Sequence, residues 1–105
     1  MVNNILDTAG IEYREARFPK PPAGTYAVYT DDVTTDGPDY LNLILTHNIT
    51  VELLEPTPDD KAEADLEAAM DAAGVRWQKQ GRLWLREEQR YQVIYEFTYY
   101  TKRRN

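Results

Sequence analysis

The stretch YLNLILTHNITVELLEPTPDDKAEADLEAAMDAAG, residues 40–74, changes its hydrophobic period halfway along. Leu41, Leu43, Leu45, Ile49, Val51 and Leu53 share one parity, and Asn42, Thr46, Asn48, Thr50 and Glu52 share the other. Successive side chains of a strand point to opposite faces, so Tyr40 to Glu55 reads as one long, half-buried strand. Ile44 and Leu54 on the polar face and His47 on the apolar face break the pattern. After Pro56 the period becomes helical. Ala62, Leu66, Ala69, Met70 and Ala73 recur on one face, while Glu63, Glu67 and Asp71 make the opposite face acidic. Thr57 is placed to cap this helix, Pro58 to open it, and Asp59 and Asp60 to meet its positive end. Gly74 stops it, which predicts a main helix over 58–73 packed on the sheet through its apolar face.

Upstream, Val2 to Ala9 puts Ile5, Leu6 and Ala9 on one side, with Gly10 as a helix stop. A helix of about two turns cannot stand alone and must dock on the sheet. Ile11 to Arg17 reads as a strand, and Pro19, Pro21, Pro22 and Gly24 form a loop. Thr25 to Thr35 is rich in β-branched and aromatic residues, and Asp36-Gly37-Pro38-Asp39 turns it into the long strand as a hairpin. Downstream, Val75–Lys79 and Leu83–Glu87 read as two strands joined at Gln80-Gly81. A two-residue turn there sets Trp77 opposite Trp84. A turn at Glu88-Gln89 leads to Tyr91–Thr101, where Tyr91, Val93, Tyr95, Phe97 and Tyr99 share a face. The basic tail 102–105 is expected to fray. The class is α+β: a mostly antiparallel sheet, with the main helix and the short N-terminal helix 2–9 on one face of a single domain, 1–105.

At 105 residues the chain has room for one domain. No apolar stretch approaches the span of a membrane helix, about 20 residues. MVNNILDTAG has no secretory-signal pattern, which leads us to expect synthesis in the cytoplasm and no membrane partner. With no cysteine and one histidine, thiolate chemistry, disulfides and cysteine–zinc sites fall away. We therefore expect neither cofactor nor metal. The net charge of −6 is uneven: −6 over residues 1–56, −5 over 57–74 and +5 over 75–105. Opposite patches of this kind can steer copies of a chain together head to tail.

Chemistry-bearing constellations are few. His47 among carboxylates is the minimum for acid–base work, but its place on the leucine face favours a packed histidine bonded to backbone. The chain has no serine, and no nucleophile motif is present. Asp32 to Gly37 opens like a calcium loop, yet its twelfth position is Leu43 in place of a bidentate glutamate. Trp77, Lys79, Arg82, Trp84, Arg86, Arg90 and Tyr91 interleave bases with aromatics, but an acidic chain repels nucleic acid, and we expect no sequence-specific binding. Catalytic residues are accordingly none, and the chain is expected not to be an enzyme.

Taken together, PPAGTYAVYT, DDVTTDGPDY, HNITVELLEP, the acidic helix ending MDAAGVRW and EEQRYQVIYEFTYYTKRR resemble the tail terminator or tail completion (head-tail joining) proteins of tailed phages and prophages. The resemblance implies an α+β virion protein of the tail or neck. Such a protein assembles with itself as a ring, a hexamer in the family, that caps the tail tube. Its partners would be the tail tube protein and a head-completion or connector protein. The charge partition then suggests a candidate subunit interface of Asp59, Asp60, Glu63 and Glu67 against Arg82, Arg86 and Arg90. The alternative is a small cytosolic interaction module, an adaptor or inhibitor whose acidic helix contacts a basic partner.

Overall fold

The computed structural model describes residues 1–36 and 42–104. Its elements are α1 (Val2–Ala9), β1 (Glu12–Glu15), β2 (Tyr26–Asp36), β3 (Asn42–Glu55), α2 (Asp60–Ala72), β4 (Trp77–Lys79), β5 (Leu83–Leu85) and β6 (Arg90–Arg104). The expected α+β class is the one observed: a six-stranded sheet ordered β1-β2-β3-β6-β4, with β5 also on β6 and only β1–β2 parallel. The turn expected at Asp36-Gly37-Pro38-Asp39 falls largely outside the described residues.

The parity of β3 carries through the ladder. Ala27, Leu53 and Val93 form one row, Tyr29, Val51 and Tyr95 the next, and Asp31, Ile49 and Phe97 a third. This face packs against Val2, Ile5 and Leu6 of α1 and Leu66, Ala69 and Met70 of α2 as the main core. Burying these side chains contributes roughly 1.5–3 kcal/mol for each large one. Both helices end as the glycines predict. Gly10 and Gly74 take positive φ (72° and 75°), and the N–H groups of Ile11 and Val75 return to the carbonyls of Leu6 and Met70.

Five expectations are corrected. First, α2 begins at Asp60, because Asp59 and not Thr57 is the cap: its carboxylate accepts from the Ala62 N–H at 3.0 Å and from the Thr25 hydroxyl at 2.6 Å. Second, the polar face of the sheet has its own small core, in which Tyr26, Val28 and Leu54 pack with Phe18 and Leu85. Third, β1 is only the four residues Glu12–Glu15. Fourth, β6 runs to Arg104 opposite Asn42, so residues 102–104 are strand where fraying was expected, held by β3, which is one residue shorter.

The fifth concerns β4 and β5, which form no hairpin. Both pair antiparallel with the same edge of β6, Trp77 opposite Phe97 and Trp84 opposite Tyr91. They are one edge strand broken by a bulge, and the Gln80 N–H bonds to the Ile94 carbonyl within it. Trp77 and Trp84 therefore do not meet. Each packs edge-on against a tyrosine of β6, Tyr95 at 5.7 Å and Tyr91 at 4.8 Å.

Candidate assembly surface

Three features could carry function: a charged cluster beneath α2, a histidine node across the three long strands, and the part of those strands that extends beyond the helices.

The bulge creates the first. Lys79 and Arg82 lie three residues apart and would point to opposite faces of a regular strand; one extra residue brings both to the helix side. There Lys79 Nζ reaches Glu63 at 2.9 Å and Glu67 at 2.7 Å. Arg82 reaches Glu63 at 2.7 Å, Asp60 at 3.2 Å and Glu55 at 3.5 Å. Glu63, expected on the acidic solvent face, is buried instead, because these two cations cover it. Glu55 is fully buried, and its parity with Val51 and Leu53 is the sequence signal that places it there. Its Oε1 accepts from the Asp59 N–H at 3.1 Å, while Oε2 has no donor.

Burial, followed by the neighbouring Glu63 carboxyl, pushes Glu55 up to about 7. Burial also acts to raise Glu63, but hydrogen bonds with Arg82, Glu55 and Lys79 outweigh it and bring that group down to about 2. The two carboxyls are coupled, and the buried Glu55 is the one pushed toward its protonated form. Beside them the Tyr95 hydroxyl donates to Glu67 at 2.7 Å, and burial, then that bond, raise its pKa. The candidate interface residues Asp60, Glu63, Glu67 and Arg82 thus meet inside one chain, and Asp59 caps α2 beside them. Arg90 lies elsewhere: its guanidinium donates to the carbonyls of Pro22, Ala23 and Gly24 at 2.6–3.0 Å and sits 5.0 Å over the Tyr26 ring, pinning the proline loop. Arg86 is exposed in the turn before β6, where its carbonyl accepts from the Gln89 side chain.

The second feature is His47. Its Nδ1 lies 3.0 Å from Asp31 on β2, its Nε2 lies 2.9 Å from the Thr101 hydroxyl on β6, and its ring stacks on Tyr99 at 4.4 Å. The partners are side chains and not the backbone expected from the sequence. In the neutral ring with its proton on Nδ1, that N–H donates to Asp31 and Nε2 accepts from the Thr101 hydroxyl. The order carboxylate–imidazole–hydroxyl matches that of a nucleophile relay. Here it cross-links three neighbouring strands where the helix layer ends.

The third feature is the arm. β1 covers β2 only at Tyr26–Tyr29, and β4 covers β6 only as far as Phe97. Beyond these points residues 30–36 and 98–104 have β3 on one side and, among the described residues, no strand on the other. Val33, Ile44 and Tyr100 are large apolar side chains exposed there. Two open clefts flank the place where the β6 edge comes free. One, of about 610 Å³, lies between the helix ends and Tyr99–Thr101, and the other, of about 420 Å³, lies between Arg76, Gln78 and Thr98. The described residues span 48 × 27 × 22 Å, an elongated shape.

By sequence the chain matches no known family model and no curated protein. Its fold is similar to that of a chain in a solved structure described as the virion of a native gene transfer agent particle. The TM-score is 0.65 at 17% identity, over 94% of this chain and 84% of that one.

Proposed function

We propose that this protein is a structural component of a phage-like particle, a tail terminator or tail completion protein at the junction of tail and head. The observation that carries the reading is the fold likeness to a chain of a gene transfer agent virion over nearly the whole length. The arm supports it: a protein that works by assembly needs surface left unsatisfied in the monomer, and among the described residues it lies here in two bare strand edges. On this reading the chain forms a ring on the tail tube, bounds tube growth and offers a surface to a head-completion protein. The Asp31–His47–Thr101 chain then holds the arm and has no catalytic task.

The test is a stop codon in this gene in an inducible prophage, followed by electron microscopy of the lysate. Overlong tubes detached from filled heads are expected for a terminator. Tails of normal length beside unjoined heads would move the protein to the head side of the junction. Fully infectious particles would overturn the reading and favour an adaptor in the host cytoplasm.

A further inference from the structure

The arm's two bare edges differ in charge. Residues 30–36 of β2, TDDVTTD, carry three acids and no base, and residues 98–104 of β6, TYYTKRR, carry three bases and no acid. They lie on opposite sides of β3. We propose that copies of this chain join by strand addition, the β2 edge of one arm pairing in parallel with the β6 edge of the next. This rests on the reading that the protein assembles with itself, and it names the surface and the geometry.

Charge selects the pairing. A two-fold contact sets an edge against its own copy, acid to acid or base to base, and is repelled. A β2–β6 contact sets an acid-rich strand, whose Asp31 is already bonded to His47, against a base-rich one and is heterologous, so it propagates and closes into a ring when the rotation allows. Of the other candidate charges, Glu63 and Glu67 already face Lys79 and Arg82 within the chain, and Arg90 is held by the proline loop.

The backbone agrees. Within a strand, the N–H and C=O of one residue point to the same side, and successive residues alternate. The Tyr29 carbonyl accepts from the Ala16 N–H on the outer side of β2, so Asp31, Val33 and Thr35 also point outward. The Ile94 carbonyl accepts from Gln80 on the outer side of β6, so Thr98, Tyr100 and Lys102 point outward. In a parallel ladder a residue bonds to the two neighbours of the residue abreast of it. Odd outward residues on β2 and even ones on β6 therefore set odd abreast of odd, and each face of the sheet continues into the next copy. Thr34 and Tyr100, on one row within the chain, come abreast between copies that stand level.

The chain has no cysteine, so engineered pairs report without background. Thr34→Cys and Tyr100→Cys are made singly and together, with Lys102→Cys in place of Tyr100→Cys to cover a shift of one pleat, and each protein is oxidised at low salt. The double variant should give a ladder of dimers, trimers and larger species, each single variant alone almost none, and the two singles mixed only dimers. Val33→Pro removes an outward N–H and should abolish association seen by sedimentation while leaving the circular dichroism and melting temperature of the monomer unchanged. Dimers from a single-cysteine protein would overturn the proposal in favour of a two-fold contact. Association that persists in Val33→Pro without cross-links would overturn strand addition and leave self-assembly standing. A wild-type protein that is monomeric and uncross-linked at every concentration would overturn this inference, while overlong tails from the prophage lesion would still uphold the functional reading.

Discussion

The same three strands, β2, β3 and β6, are built in two ways along their length. In the body, between Tyr26–Asp31, Ile49–Glu55 and Tyr91–Phe97, one face is sealed by two helices, the other carries a second small core, and short strands cover both edges. In the arm the alternation weakens and threonine, tyrosine and charge replace valine and leucine. Among the described residues neither edge is covered there, and Val33, Ile44 and Tyr100 are exposed. Folding stability is therefore concentrated in the body, and the arm becomes useful only against something else. Substitutions should separate the two regions, with large changes in unfolding and none in assembly on one side, and the reverse on the other.

The largest effect belongs to the body. Leu66 is fully buried between α2 and the sheet, and Leu66→Ala should lower the unfolding free energy by about 2–5 kcal/mol, read as a shift in urea midpoint. An unchanged midpoint would mean that the helix is not seated through this face. Next comes the dependence on pH. Glu55 has a folded pKa of about 7, above that of an ordinary glutamate, so the folded state holds a proton that the unfolded chain has released, and stability falls as pH rises from about 4.5 to 7. Glu63 is shifted down to about 2, so its contribution is lost as pH falls below the ordinary glutamate value. Stability should peak in mildly acidic solution, and Glu55→Gln should flatten the decline toward neutrality. A melting temperature that rises through pH 5–7 in the wild type would contradict a buried protonated Glu55.

This comparison also marks what the sequence could tell. The long strand, the amphipathic helix and both glycine stops are encoded within a few residues, and all were legible from period and position. Features that depend on partners distant in the chain were not. The cap fell two residues late because Thr25, 34 positions away, donates to Asp59. The Trp77–Trp84 hairpin failed because β6 offers an edge long enough for both halves of a bulged strand. Glu63 read as solvent-exposed because its cations come from 16 and 19 positions downstream. Charge asymmetry between the ends of the chain was visible, and the fold shows which part of it is used internally. Only topology puts residues 30–36 and 98–104 on opposite edges of one arm.

A smaller effect is expected at the boundary between the two regions. His47→Ala removes hydrogen bonds to Asp31 and Thr101 and the stack on Tyr99, which together should cost about 1–2 kcal/mol. Hydrogen exchange locates the loss: amides of the arm that face β3 should exchange faster, while those of Val51, Leu53 and Val93 keep their protection. Uniform acceleration in both regions would mean that the node supports the whole sheet and not the arm.

The smallest effect on folding, and the largest on assembly, is expected at the tip. Tyr100 is 68% exposed and Lys102 is exposed as well, and neither is among the core residues. Tyr100→Ser and Lys102→Glu should each change monomer stability by no more than about 0.5 kcal/mol, the usual range for surface positions. Lys102→Glu reverses the sign of one contact across the proposed joint and should weaken association. Asp36→Lys, at the position that the level register sets abreast of residue 102, should do the same alone, and the two reversals in one chain should restore association, because each edge then meets its complement in the next copy. The loss and the rescue should both fade as salt rises past about 0.15 M, where the screening length falls to about 8 Å. Additive weakening in the double variant would show that the two residues act on separate surfaces, and the arm would then owe its bare edges to a partner other than a second copy of itself.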